Sequence, residues 1–440
     1  MRYMLITLIG FLTLYMVFAF DPGPAPGLNI KNAMLYVIML TLLLRVTIDR
    51  RYRIQMPAVP VIFIVLIVYA VVSYGTVVLV IHYPRYDWLN NGIYLKNSLF
   101  DQMMFFLVFF YGLRSDEEAV QVAKVVLGCW VLSHAMAVLG ALGIAQFGRI
   151  EQDPDGRVMG LVGEPNQYGA FVALTLPAVA SVIMITRGYW RLFWIAATAI
   201  SALTLVMTVS RGAFVGTIFA IGMGLFMFRR YVPTLKLLKF AGAFVLAAGL
   251  VVIVASSLGF GELLYHRMMG GARVSADIEG ISSGRTEIWL NAIAVMWQKP
   301  ITLLTGYGWQ MYPAMPFRLG THNHFLASWF NLGVVGVTCA VLLLVIPIRA
   351  ARRAAVIADD TARPLLIGFV IGATALSASV FFVDLYMPWH YYWAYTGVMM
   401  RLVANAREGA VTRPAAARVS GQPAARARRD AHGWNAAASR

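Results

Sequence analysis

Apolar residues in this chain fall in long unbroken runs. They show neither the alternation of half-buried strands nor the one-sided spacing of soluble helices. About twelve runs can be read, roughly 3–20, 33–48, 60–81, 93–112, 119–143, 165–186, 191–209, 213–228, 235–257, 325–348, 365–383 and 387–403. The hydrocarbon core of a bilayer takes about 20 apolar residues per helix. The pattern therefore predicts an all-α, polytopic membrane protein of about 12 transmembrane helices. Pro177 and Gly224 inside runs are compatible with spans, because neighbouring helices satisfy the freed backbone groups. The first run follows Met1-Arg2 directly and has no small-residue cleavage site, so it reads as a retained helix.

The polar segments between runs set an orientation. Arg50, Arg51 and Arg53, then Arg187 and Arg191, then Arg229, Arg230, Lys236 and Lys239, then Arg349, Arg352, Arg353 and Arg363 occupy alternate loops. Positive charge marks the cytoplasmic side, so both termini are expected there. The loops near 21–32, 82–92, 146–164, 210–212, 258–324 and 384–386 fall on the opposite side. The expected organisation is about nine helices over 1–257 and a long outer loop over 258–324. About three more helices follow over 325–403, then a disordered basic cytoplasmic tail over 404–440. Composition agrees: 60% of residues are hydrophobic, and 13% are charged against about 25% in soluble domains. The net charge of +16 is mostly a consequence of topology, so no nucleic-acid partner is read from it. Cys129 and Cys339 lie in different runs, with no metal-thiolate spacing.

The outer loops carry the candidate chemistry. Loop 258–324, at roughly 67 residues, is too long for a simple connector. It holds a predicted helix, with Ile288, Trp289, Ala292, Ile293 and Met296 at helical spacing, Ser282 or Ser283 as its cap and Pro300 just past its end. That helix is expected to lie flat on the membrane or over a cavity. Arg285 stands in its first turn, where a cation opposes the helix dipole unless an anion is bound; an ion pair with Glu287 or Asp277 is the plainer alternative. Arg211, in "VSRGAF", is a lone cation on the outer side at another helix start. Charge at membrane depth marks function by default, and snorkelling to the headgroups is the alternative. Asp153 and Asp155 in "EQDPDGR" form a turn before they form a metal site. No metal and no cofactor is expected.

The stretch "GTHNHFLASWFNLGVVGV", 320–337, sets His322, Asn323 and His324 directly before a span. Two His separated by one residue point in different directions and make a poor metal pair. A neutral imidazole can serve as a general base toward a sugar hydroxyl, or simply be a polar residue at the interface. Here the sequence resembles the O-antigen ligase/polymerase superfamily, through His322, Asn323, Gly333 and Gly336, "GRVMGLVGEPNQYGAFVAL" (157–174), "SRGAF" (210–214) and "SGRTEIW…WQKPITLLTGYGW" (283–309). The resemblance implies a multi-pass glycosyltransferase of the bacterial inner membrane with a periplasmic active site. It implies transfer of a polysaccharide from an undecaprenyl-diphosphate carrier to a hydroxyl of the lipid A–core. By motif position His322 is the general base, and Arg211 and Arg285 hold the diphosphate. Asn323, His324, Asn166 and Arg157 are secondary candidates. Displacement from one face predicts inversion at the anomeric carbon. A polymerase of the same superfamily, or a transporter of lipid-linked glycans, is the alternative.

The charge asymmetry makes a direct prediction. Single cysteines at Ser283 and Ala354 should react with membrane-impermeant reagents from opposite sides. Labelling of both from one side would overturn the orientation.

Overall fold

The computed structural model describes residues 1–18, 27–48, 57–147, 151–229, 248–269, 284–317, 320–384 and 389–419. The chain is almost wholly helical. In order come α1 (Arg2–Phe18), α2 (Ile30–Ile48), α3 (Ala58–Thr76), α4 (Trp88–Leu95), α5 (Asp101–Tyr111) and α6 (Asp116–Ala141). A hairpin of β1 (Glu151–Gln152) and β2 (Val158–Gly160) follows, then α7 (Pro165–Val182), α8 (Gly188–Met207), α9 (Arg211–Phe228) and α10 (Ala248–His266). Three shorter helices, α11 (Arg285–Gln298), α12 (Ile301–Thr305) and α13 (Met311–Ala314), precede α14 (His324–Ile357), α15 (Ala362–Ser379) and α16 (Trp389–Val419).

Among the described residues nine helices are long and apolar enough to cross a membrane, where the hydropathy pattern gives about twelve. The difference has local causes. Helix α1 is apolar but only 17 residues long. The run at 93–112 is divided, because α4 and α5 are joined by a π turn over Lys96–Phe100. Lys96 and Asp101 pair there at 2.9 Å, with Asp101 fully buried. Helix α16 mixes aromatic residues with Arg401, Asn405 and Arg407. Helix α10 runs across residue 257 and α16 across residue 404.

Helix starts are written in the sequence. Ser115 caps α6 by accepting from Glu118 N at 3.2 Å, with Asp116, Glu117 and Glu118 in the first turn, an arrangement that favours the dipole. Without a hydrophobic drive between spans, close approach of backbones holds helices together. Helix α15 packs between α7 and α9. Gly368 and Gly372, four apart, let its backbone lie against Pro177 O and Leu174 O of α7.

The long segment before α14 folds over the bundle. Ala292 and Met296 of α11 are buried with Tyr312, Leu326 and Phe330 in a small separate core, which Trp289 and Ile293 flank. Through this face the helix packs on its own chain. The expected caps Ser282 and Ser283 lie outside the described residues; Gly284, at φ 75°, precedes the helix. Pro300 follows its end and opens α12.

Helix α14 breaks at Gly333, whose φ of 59° and ψ of −153° are not helical. The break frees the carbonyls of Phe330 and Asn331, which accept from the amides of Tyr307 (2.8 Å) and Gly308 (2.9 Å). At this seam a Cβ on Gly333 would run into Leu304 O, and one on Gly306 into Asn331 O. Gly333→Ala should therefore destabilise the protein by about 1–3 kcal/mol, read as a lowered thermal midpoint in detergent. Gly222→Ala, with open space around it, should be neutral or slightly stabilising.

Candidate functional site

Four helix N-termini meet at one end of the bundle. Glu164 caps α7, accepting from Gln167 N (2.6 Å) and Asn166 N (3.1 Å), with Pro165 in the first turn. Ser210 caps α9, accepting from Ala213 N at 3.4 Å. Asn323 caps α14, its Oδ1 accepting from Leu326 N at 3.0 Å. Arg285 opens α11. Asn166, Ser210, Gly212, Ala213 and Arg285 line one small pocket. Each helix start adds about half a positive charge, to which Arg285 adds a guanidinium at the pocket wall, while Ser379, Phe382 and Val383 close the other side. Arg211 is the first residue of α9, between Ser210 and Gly212, both of which line the pocket.

Arg157 supports this cluster from beneath. The "DPDG" sequence makes the β1–β2 turn, with Gly156 at φ 82°. Asp153 accepts from Arg157 N at 2.7 Å and pairs with Nε at 3.6 Å. Buried Arg157 donates to Thr208 O at the end of α8 (3.3 Å) and to Asn166 Oδ1 (3.2 Å). Asn166 Nδ2 donates to Glu164 Oε1 at 2.6 Å. Asp153 is thus engaged by Arg157. Among the described residues no three His, Cys, Asp or Glu gather as a metal site.

The three residues of "HNH" have three different surroundings. His322 is half-buried and lies in the left-handed region, at φ 46°. Its proton affinity is lowered first by burial and then by Arg285, against an opposing contribution from Glu164. This places the ring on the side of the Arg285 pocket. The strand carrying it is pinned on both sides: Trp289 Nε1 of α11 donates to Thr321 O (2.8 Å), and Thr321 Oγ1 donates to Asp384 (2.9 Å). Val209, at φ 48°, is a second strained residue, directly before the α9 cap. A β-branched residue there is a genuine outlier, and strain of this kind is kept where the surroundings over-determine it. Asn323 is the cap. His324 N donates to Val380 O at 3.0 Å, and its ring lies 5.4 Å from that of Trp389.

His324 faces a different space, a cavity of about 640 Å³ walled by α1, α2, α3, the π turn before α5, α14 and α16. Lys31, Asn97, Gln102, Thr321, Asp384 and His390 supply its polar groups, and Trp309 and Trp389 its aromatic rings. The remaining buried histidine, His134, has both ring nitrogens bonded, to Tyr168 OH (2.9 Å) and Thr175 Oγ1 (2.8 Å), and is a core residue.

One comparison with known proteins bears on this geometry. The family model described as O-antigen ligase matches residues 196–341. Over that stretch the chain is similar to the O-antigen ligase family. No curated protein matches it. The O-antigen ligase match spans the second half of α8 to the middle of α14, so it contains Arg211, Arg285 and His322. Asn166, which lines the small pocket, and Arg157 and Glu164, which are hydrogen-bonded to it, lie before its start.

Among the residues read from the sequence, Arg157, Asn166, Arg285 and His322 are gathered together, and Arg211 is carried in between two lining residues. His324 is turned to the other side. Glu164, Trp289, Thr321 and Asp384 were missed. Only Glu164 had a local signal, an acceptor side chain directly before Pro165.

The charges around His322 predict its titration. Arg285→Gln removes a neighbour that disfavours the imidazolium, so the His322 pKa should rise. Glu164→Gln removes one that favours it, so the pKa should fall. Nitrogen NMR of the labelled ring in detergent measures both; shifts in the same direction would contradict the placement.

Proposed function

We propose that the protein is a glycosyltransferase that moves a glycan from undecaprenyl diphosphate to a sugar hydroxyl of a lipid A–core acceptor, on the periplasmic face of the inner membrane. The observation that carries the reading is a half-buried histidine, its pKa lowered by burial and by Arg285, near a cleft where the starts of α7, α9 and α11 meet. Its place within the O-antigen ligase match supports it. The orientation, with both termini cytoplasmic, rests on the distribution of Lys and Arg.

In this reading the donor diphosphate sits at the starts of α7, α9 and α11, with Arg211 and Arg285 as its cationic partners. Guanidinium forks suit phosphate oxygens in a way that ammonium does not. Arg157 does not touch the substrate; it fixes Asn166, which lines the pocket. The acceptor hydroxyl gives its proton to His322 as its oxygen bonds to the anomeric carbon. The bond from that carbon to the diphosphate oxygen breaks, and its electron pair leaves with the lipid diphosphate. The leaving group is already a stable anion and needs no strong acid. One displacement inverts the anomeric configuration. Glu164, close enough to stabilise the imidazolium, favours the protonated ring as the proton arrives.

A reconstituted transfer assay tests this. His322→Ala should lose about 10²–10⁴ in rate while donor binding persists. Arg211→Lys and Arg285→Lys should weaken donor use although the charge is kept. His324→Ala should be milder than His322→Ala. A large loss confined to His324 would move the base to the cavity side and overturn the assignment. Release of lipid diphosphate without any acceptor would point to hydrolysis instead of transfer.

A further inference from the structure

Arg285, Trp289, Ala292 and Met296 follow one another along a single face of α11, at the spacing of successive turns. Ala292 and Met296 are buried in the small core with Tyr312, Leu326 and Phe330, which sets how the helix is turned. The first half of the same face then meets the segment before α14. Arg285 is close enough to His322 to disfavour its charged form. Trp289, one turn further on, is half-buried and sends its indole N–H to Thr321 O at 2.8 Å. The carbonyl held in this way belongs to the peptide that joins Thr321 to His322. That unit is planar, so fixing its oxygen fixes the plane against which the His322 side chain is swung. On the far side the chain is fixed by the α14 start, where Asn323 Oδ1 accepts from Leu326 N and His324 N donates to Val380 O. Between the two anchors lies one rotation, the φ of His322, and it stands at the disfavoured value of 46°. A residue other than glycine keeps such a value only where its neighbours over-determine the backbone.

We propose that Trp289 is a positioning residue for the transfer: its indole N–H, by holding the Thr321 carbonyl, keeps His322 in the left-handed conformation that aims the imidazole. Helix α11 then has two duties one turn apart. Arg285 acts on the leaving diphosphate, and Trp289 acts on the base without touching either substrate. The ring of Trp289 packs beside the small core as any large apolar side chain could; the N–H is what an apolar side chain would not supply. Thr321 is suited to the part, being buried and held from its other side by its hydroxyl, which donates to Asp384 Oδ2 at 2.9 Å. The inference rests on the transferase reading above, in which His322 is the base.

The experiment is a double-mutant cycle on the purified full-length protein. Trp289→Phe keeps an aromatic ring and removes the donor. It should lower kcat by about 10–100-fold, the cost of a misplaced group, and leave the donor KM and the binding of inorganic diphosphate unchanged. In a His322→Ala background the same substitution should cost no more than about twofold, because a residue that acts only through His322 has nothing left to aim. An equal loss in both backgrounds would make Trp289 an ordinary core residue and overturn the proposal, as would an unchanged kcat. If Trp289→Phe does not fold, benzothienylalanine at position 289 keeps both rings and lacks only the N–H. Nitrogen NMR of the labelled histidine rings provides a readout without turnover. The His322 signal should shift or broaden in the Trp289 variant while those of His134 and His324 stay in place; an unchanged His322 signal overturns the proposal. Failure of the transferase reading would show elsewhere, as wild-type turnover in His322→Ala.

Discussion

Helix starts that face a membrane boundary carry amide hydrogens with nowhere to go, and everything around this site follows from gathering several of them. The ends of α7, α9, α11 and α14 converge where Glu164, Ser210 and Asn323 each satisfy only part of their own first turn. The residual positive field is then increased by Arg211 and Arg285. A site of this kind is unfavourable when empty and favourable around an anion. Burial and Arg285 both disfavour a charged imidazole at His322. The single acidic neighbour, Glu164, is held by hydrogen bonds to the α7 start and to Asn166.

The fold class was legible because hydropathy runs follow directly from the thickness of a bilayer. Their number was less so. A run such as 93–112 looks continuous by composition, yet Lys96 and Asp101 are accommodated through a π turn and a buried ion pair. The site was partly legible. A cation at a helix start against the dipole is visible in one dimension, and so is a histidine before a span. Arg285 and His322 were found in that way. Pairing across the fold was not visible: Thr321 is pinned by Trp289 and Asp384, residues 32 and 63 positions away. Nothing local distinguishes the Trp289 indole from any other apolar residue of its helix.

The motif "HNH" shows how much one turn of backbone can divide. With His322 in the left-handed region, the chain changes direction before Asn323 begins the helix. The two imidazoles then have different surroundings, His322 within reach of Arg285 and Glu164, and His324 at the wall of the wide cavity. Their sequence spacing alone makes them a poor metal pair. It takes the reversal at His322 to show that they serve separate spaces.

The seam at Gly306 and Gly333 has a dynamic consequence. The carbonyls of Phe330 and Asn331 are held by amides from the preceding loop and not by the continuation of their own helix. The first two turns of α14, with the histidines in front of them, are therefore fastened to the cover formed by α11 and α12 more than to the long span below. Any opening of that cover large enough to break the Tyr307 and Gly308 bonds also releases the hinge at Gly333. Loosening of the cover and loosening of the start of α14 thus draw on the same two hydrogen bonds.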